Sequence, residues 1–103
     1  MPRWTVQDRN GNKIYLTQER WEHILHRHDE LTGRLDDLLD TLRYGGRRQE
    51  ALDQQQYRYY RRYDDLPYGF NHIVVIVAFN FVTSGQANNF VVTAWGAYIH
   101  SKG

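Results

Sequence analysis

Between residues 43 and 62 every cation is an arginine: Arg43, Arg47, Arg48, Arg58, Arg61 and Arg62, against only Glu50 and Asp53. A guanidinium is a planar fork that matches phosphate and stacks on aromatic rings. Tyr57, Tyr59, Tyr60 and Tyr63 are interleaved with these arginines. Two readings fit the segment: a solvated strand whose charges discourage edge pairing, or a surface for an anionic ligand, most simply nucleic acid. His28 and Thr93 add a proton-transfer group and a hydroxyl in an otherwise apolar strand. A histidine, arginines, a tyrosine and a threonine meeting on one sheet face would suit phosphodiester cleavage without metal. One group moves the proton, Arg stabilises charge developing on phosphate, and Tyr stacks or donates a proton.

His23, His26 and His28 lie close in sequence. His23 and His26 are spaced i, i+3, but His28 falls on the opposite side of a helix, so one ion cannot take all three, and no thiolate is present to help. No metal or cofactor is expected, and His23 and His26 read as solvated. For His28 two readings stand: a half-buried histidine satisfied by a backbone carbonyl, or a general acid or base on a rigid element.

The elements that must position these groups are legible from periodicity. Residues 4–7 and 13–16 read as short strands around an Asn10-Gly11 turn. Thr17 is an N-cap. Trp21, Ile24, Leu25 and His28 then fall on one helical face. Thr32 is expected to cap a second helix, apolar along Leu35, Leu38, Leu39 and Leu42, acidic outside at Asp36, Asp37 and Asp40, and ended by Gly45-Gly46. Residues 54–63 alternate, with Tyr57, Tyr59, Arg61 and Tyr63 on one face and Arg58, Tyr60 and Arg62 on the other. The run Ile73–Phe79 reads as a central strand, and residues 89–99 as the last. The expected fold is α+β: short N-terminal strands and two helices packed on a three- to four-stranded antiparallel sheet. In the last strand Phe90, Val92 and Ala94 are expected under the helices, and Thr93 and Trp95 on the open face.

A chain of 103 residues, 41% hydrophobic, with no cysteine, is expected to form a single domain without disulfides over residues 1–103. No apolar run reaches the ~18–20 residues of a membrane span, and the N-terminus has no apolar signal region. The expectation is a cytoplasmic protein with no membrane association.

The stretch from Gly11 to Ile24, with its "LT-x-ERW-x-HI" pattern, resembles the opening of a family of small bacterial proteins. His28-Asp29-Glu30-Leu31 resembles a later His-x-Glu-Leu in which Pro is commoner at the second position. Tyr59-Tyr60-Arg61 and Phe90-Val91-Val92-Thr93-Ala94 complete the likeness, which spans about residues 11–99. That family in turn resembles the nuclease superfamily of barnase, EndoU, RelE and colicin-type tRNases. The resemblance implies a RelE- or barnase-like fold and a metal-independent endoribonuclease. It also implies a toxin with a small antitoxin protein as partner. On this reading a ribose 2′-hydroxyl attacks the adjacent phosphate and leaves a 2′,3′-cyclic phosphate. His28 would be the general base or acid, and Arg61 or Arg62 would hold phosphate. Tyr60 would orient RNA or assist proton transfer and Thr93 would hydrogen-bond phosphate, while Arg47, Arg48, Arg58 and Tyr59 would complete the RNA contacts. The alternative is a small protein that binds RNA or a partner without catalysis.

Overall fold

The first hairpin is held by its own turn. β1 (Arg3–Gln7) and β2 (Lys13–Thr17) pair antiparallel. Asp8 closes the loop between them: its Oδ1 accepts the backbone N–H of Asn10 and of Asn12, both at 2.9 Å, and its Oδ2 accepts from the Asn12 side chain at 3.1 Å. Gly11, at φ +82°, takes the left-handed position that other residues resist. The structure, a computed structural model, describes residues 2–100.

β2 runs directly into α1 (Gln18–Arg27), where the Thr17 hydroxyl caps the Arg20 N–H at 3.1 Å. Trp21 and Ile24 are buried along the expected stripe. A single 3₁₀ turn, Asp29–Leu31, leads to α2 (Leu35–Tyr44), which buries Leu38, Leu39 and Leu42. Thr32 does not cap α2. It ends the 3₁₀ turn, and Arg34 holds the N-cap position without a side-chain cap bond. Arg34 instead ties the helix start to Asp37 at 3.2 Å and to Asp65 at 2.9 Å. At the far end, a Cβ on Gly45 would lie 2.4 Å from the Thr41 carbonyl and 2.5 Å from that of Tyr60. Only glycine lets the chain leave α2 that close to the sheet.

The remaining strands are β3 (Gly46–Gln49), β4 (Gln56–Arg62), β5 (His72–Phe81) and β6 (Ala87–Ala97). The fold is α+β, but the expected three to four antiparallel strands are in fact one mixed six-stranded sheet, ordered β1-β2-β6-β5-β4-β3. β2 lies parallel to β6, pairing Ile14 with Asn89 and Tyr15 with Phe90. No local turn announces a pairing between strands so distant in sequence, and β3 carries no apolar alternation to mark it. Both helices cover one face, packing on Tyr59, Ile73, Val75, Val77, Val91 and Ala94. Among the described residues no helix is long and apolar enough to cross a membrane.

The register of β5 on β6 shifts between Ile76 and Val77: Ile76 pairs with Thr93 but Val77 with Val91. Val92 is therefore an extra residue, a β-bulge that reverses side-chain parity along β6. Val91 and Ala94, rather than Phe90 and Val92, sit beneath the helices, while Phe90 joins Thr93 and Trp95 on the open face.

The buried Tyr59, 1% exposed, donates its hydroxyl hydrogen to Asp8 Oδ2 at 2.5 Å. Burial opposes ionisation of Asp8. The hydrogen bonds from Tyr59, from the Asn12 side chain and from the N–H groups of Asn12 and Asn10 outweigh it and hold its pKa below the ordinary 3.8. Tyr59→Phe should lower the unfolding free energy at pH 7 by about 1–3 kcal/mol, measured by chemical denaturation. A depressed carboxylate stabilises the fold above its unfolded pKa and ceases to as pH falls through its folded one. The deficit of Tyr59→Phe should therefore shrink as pH drops below 3.8.

Candidate nucleic-acid interface

None of the six strands contains an Asp or a Glu. All twelve acidic residues lie in the helices and connections. The face away from the helices carries Arg3 and Lys13 at one side and Arg48, Arg58 and Arg62 at the other. These positions alternate with the buried Val6, Ile14, Tyr59 and Val75. Two carboxylates reach this face: Glu50 pairs with Arg58 at 2.9 Å and Asp64 with Arg62 at 3.3 Å.

Register arranges the open face in rows. Tyr60, Val74 and Trp95 are cross-strand neighbours, as are Arg48, Arg58, Ile76 and Thr93, and then Gln56, Ala78 and Phe90. The β5 members form an apolar floor. Val74, Ile76 and Ala78 are only 2%, 7% and 7% exposed although no helix covers them. The larger neighbours lie across them instead. Arg58 stands with its guanidinium 5.7 Å from the Trp95 ring centroid. A Cβ on Gly46 would come within 2.8 Å of the Tyr60 ring, so this glycine is what allows the phenol to lie over the edge strand. Arg48, Arg58, Tyr60, His72 and Trp95 thereby border an open cleft of about 460 Å³.

His72 is the group that sequence reasoning missed. It opens β5 opposite Arg62. Its Nδ1 lies 2.7 Å from Asn71 Oδ1. The Asn71 amide is oriented by the backbone of Ile99, whose N–H donates to Oδ1 at 2.9 Å and whose carbonyl accepts from Nδ2 at 3.0 Å. Oδ1 therefore faces the ring, Nδ1 must carry the proton, and Nε2 keeps its lone pair. Burial, and then the positive charge of Arg62, lower the pKa of His72 below the usual 6.5. A neutral imidazole held at one nitrogen and free at the other can accept a proton at pH 7. Only the strand register places it on the same cleft as Tyr60 and Arg58. The sole sequence signal is a polar residue opening an apolar strand.

The other candidates divide between the faces. Tyr60, Arg62, Thr93, Arg48 and Arg58 share the open one. Tyr59 is sealed in the core on Asp8 and cannot touch RNA. Arg61 lies on the helix side, donating to the Tyr63 hydroxyl at 3.2 Å and standing 5.7 Å from the Tyr44 ring centroid. Arg47 points to that side too, 4.4 Å from the Tyr57 ring centroid. His28 caps the end of α1 with its N–H on the Ile24 carbonyl at 2.8 Å, its side chain 32% exposed. Its Nδ1 is 3.6 Å from Glu30 Oε2, and that oxygen accepts the Gly96 N–H at 2.8 Å. His28 is thus moored to the helix-side surface of β6, across the sheet from Thr93, and the expected group of His28, Arg61 and Thr93 does not assemble. The reason is parity: residues 61 and 93 point to opposite faces, and the stripe of α1 follows the face of residue 61. His23 and His26 are exposed.

No protein-family model, no curated protein and no solved structure matches the chain.

An NMR titration of the imidazole C–H signals should place His72 below pH 6.5 and in the Nδ1–H tautomer. Arg62→Ala should raise its midpoint without restoring it fully, because burial is the larger cause. A wild-type midpoint at or above 6.5 would contradict this account of the cleft.

Proposed function

We propose that the chain binds single-stranded RNA on the open face of its sheet. The observation that carries this reading is the charge partition: an acid-free sheet whose uncovered face sets five cations among Tyr60, Trp95 and Phe90. Phosphates are attracted to the arginines, and bases stack on the rings whatever their identity, which is the general design of single-strand binding surfaces.

A second reading, cleavage of the bound strand, is favoured by the state of His72. Nε2 would take the proton of a ribose 2′-hydroxyl as its oxygen bonds to the adjacent phosphorus. The bond from phosphorus to the 5′-oxygen breaks, and solvent protonates the leaving oxygen. Arg58 or Arg48 would steady the charge on phosphate, and Tyr60 would orient the ribose. In this reading His72, rather than His28, is the base.

Fluorescence anisotropy with a labelled oligouridylate tests the binding. Arg48→Ala and Arg58→Ala should each weaken it and flatten its logarithmic salt dependence by about 0.7. Trp95→Ala should cost about 1–3 kcal/mol, and Arg61→Ala, on the helix side, should change nothing. Equal effects from Arg58→Ala and Arg61→Ala would refute the open-face assignment. For the second reading, the purified protein is incubated with the same RNA in EDTA. Cleavage that persists and falls about 10²–10⁴-fold in His72→Ala supports it. Intact RNA that remains bound leaves binding as the whole function.

A further inference from the structure

The corner of the open face diagonally opposite His72 holds a second cleft, of about 310 Å³, bordered by Arg3, Lys13, Tyr15 and Asn88. The Arg3 guanidinium sits 4.4 Å from the Tyr15 ring centroid. The Tyr15 ring in turn lies 6.0 Å from that of Phe90, tilted by 40°. Its hydroxyl donates to Asn88 Oδ1 at 3.1 Å, which fixes the phenol and turns the Asn88 amide N–H groups away from it. Among the described residues no carboxylate pairs with Arg3 or Lys13, whereas at the first cleft Arg58, one of its two arginines, is paired with Glu50. This second corner is therefore the less neutralised of the two.

We propose that this cleft is a second anchor for the same RNA strand, which crosses the open face on the diagonal. Arg3 and Lys13 hold phosphates and Tyr15 supports a base, while the first cleft holds the other end. This rests on the RNA-binding reading above. Thr93, Ile76, Ala78 and Phe90 lie between the two corners and offer a floor with no carboxylate among them. From Trp95 to Asn88 along β6 is about 23 Å, and from β2 to β4 is three strand spacings, about 14 Å. The diagonal is then about 27 Å, or about eight nucleotides at ~3.4 Å per stacked base, and fewer if the strand is extended. A trinucleotide can fill one cleft only.

The test compares uridylate oligomers of three and ten nucleotides by anisotropy, using the wild-type chain and the double variant Arg3→Ala with Lys13→Ala. The wild type should bind the longer oligomer about tenfold more tightly or better, because the second contact is intramolecular. The double variant should lose that advantage and flatten the salt slope for the long oligomer by about 1.4. Its trinucleotide affinity should fall far less than its affinity for the long oligomer, because the first cleft still binds, and an unchanged circular dichroism spectrum and thermal midpoint show that it is folded. Arg3→Lys, which preserves the charge, should retain most of the advantage. A double variant that binds the long oligomer like the wild type, or that loses both oligomers equally, would overturn the second anchor while leaving RNA binding in place. A wild-type chain that binds neither oligomer at low salt would overturn the RNA reading itself.

Discussion

Tyr59 on β4 shares a 2.5 Å hydrogen bond with Asp8 at the end of β1. In the sheet these strands are four spacings apart, about 19 Å if the sheet were flat. One tyrosine and one aspartate cannot span that gap. The sheet therefore bends around its helices until the first hairpin and the fourth strand meet. The carboxylate tolerates burial because its two oxygens take four hydrogen bonds, three from its own turn and one from Tyr59. A buried charge with fewer partners would be costly. This closure seals the helix side of the sheet, with Tyr59, Val75 and Val77 inside, and among the described residues it leaves the opposite side uncovered by any helix.

The composition of that uncovered face follows from two local devices. The bulge at Val92 reverses parity along β6, which carries Phe90 outward while leaving Thr93 and Trp95 there. Without it, Phe90 and Trp95 would not share a face, and no aromatic path would run toward Tyr15. The paired glycines at 45 and 46 act at the other edge. Gly45 permits the close approach of α2 to β4, and Gly46 makes room for the Tyr60 ring. The aromatic surface is thus shaped by residues without side chains as much as by the rings themselves.

Charge is distributed with the same polarity. Acids sit in helices and connections, where Asp36 and Asp37 suit the first turn of α2, and the strands carry arginines. On the RNA-binding reading, such a separation would orient an anionic chain before contact as well as hold it afterwards. His28 and His72 illustrate how position outweighs residue type. The first is engaged with Glu30 on the covered side. The second is held in one tautomer by Asn71 among the arginines of the open side.

Much of this was determined by the sequence alone, because it depends on neighbours. The Asn10-Gly11 turn, the Thr17 cap, the stripes of Trp21 and Ile24 and of Leu38, Leu39 and Leu42, and the opposition of Arg58 to Arg61 all arise from backbone periodicity and short-range hydrogen bonds. The absence of acids from every strand was readable too, once the strands were placed. What only the tertiary structure decided are the relations between distant segments. These are the parallel seat of β2 beside β6, the bulge that set which face of β6 is buried, the bond from Asp8 to Tyr59, and the place of His72 on one cleft with Tyr60 and Arg58. A strand's alternation states which residues share a face, but not which face the helices will cover or which strand will lie alongside. That choice is made by the packing of the whole core, and a single extra residue in one strand is enough to reverse it.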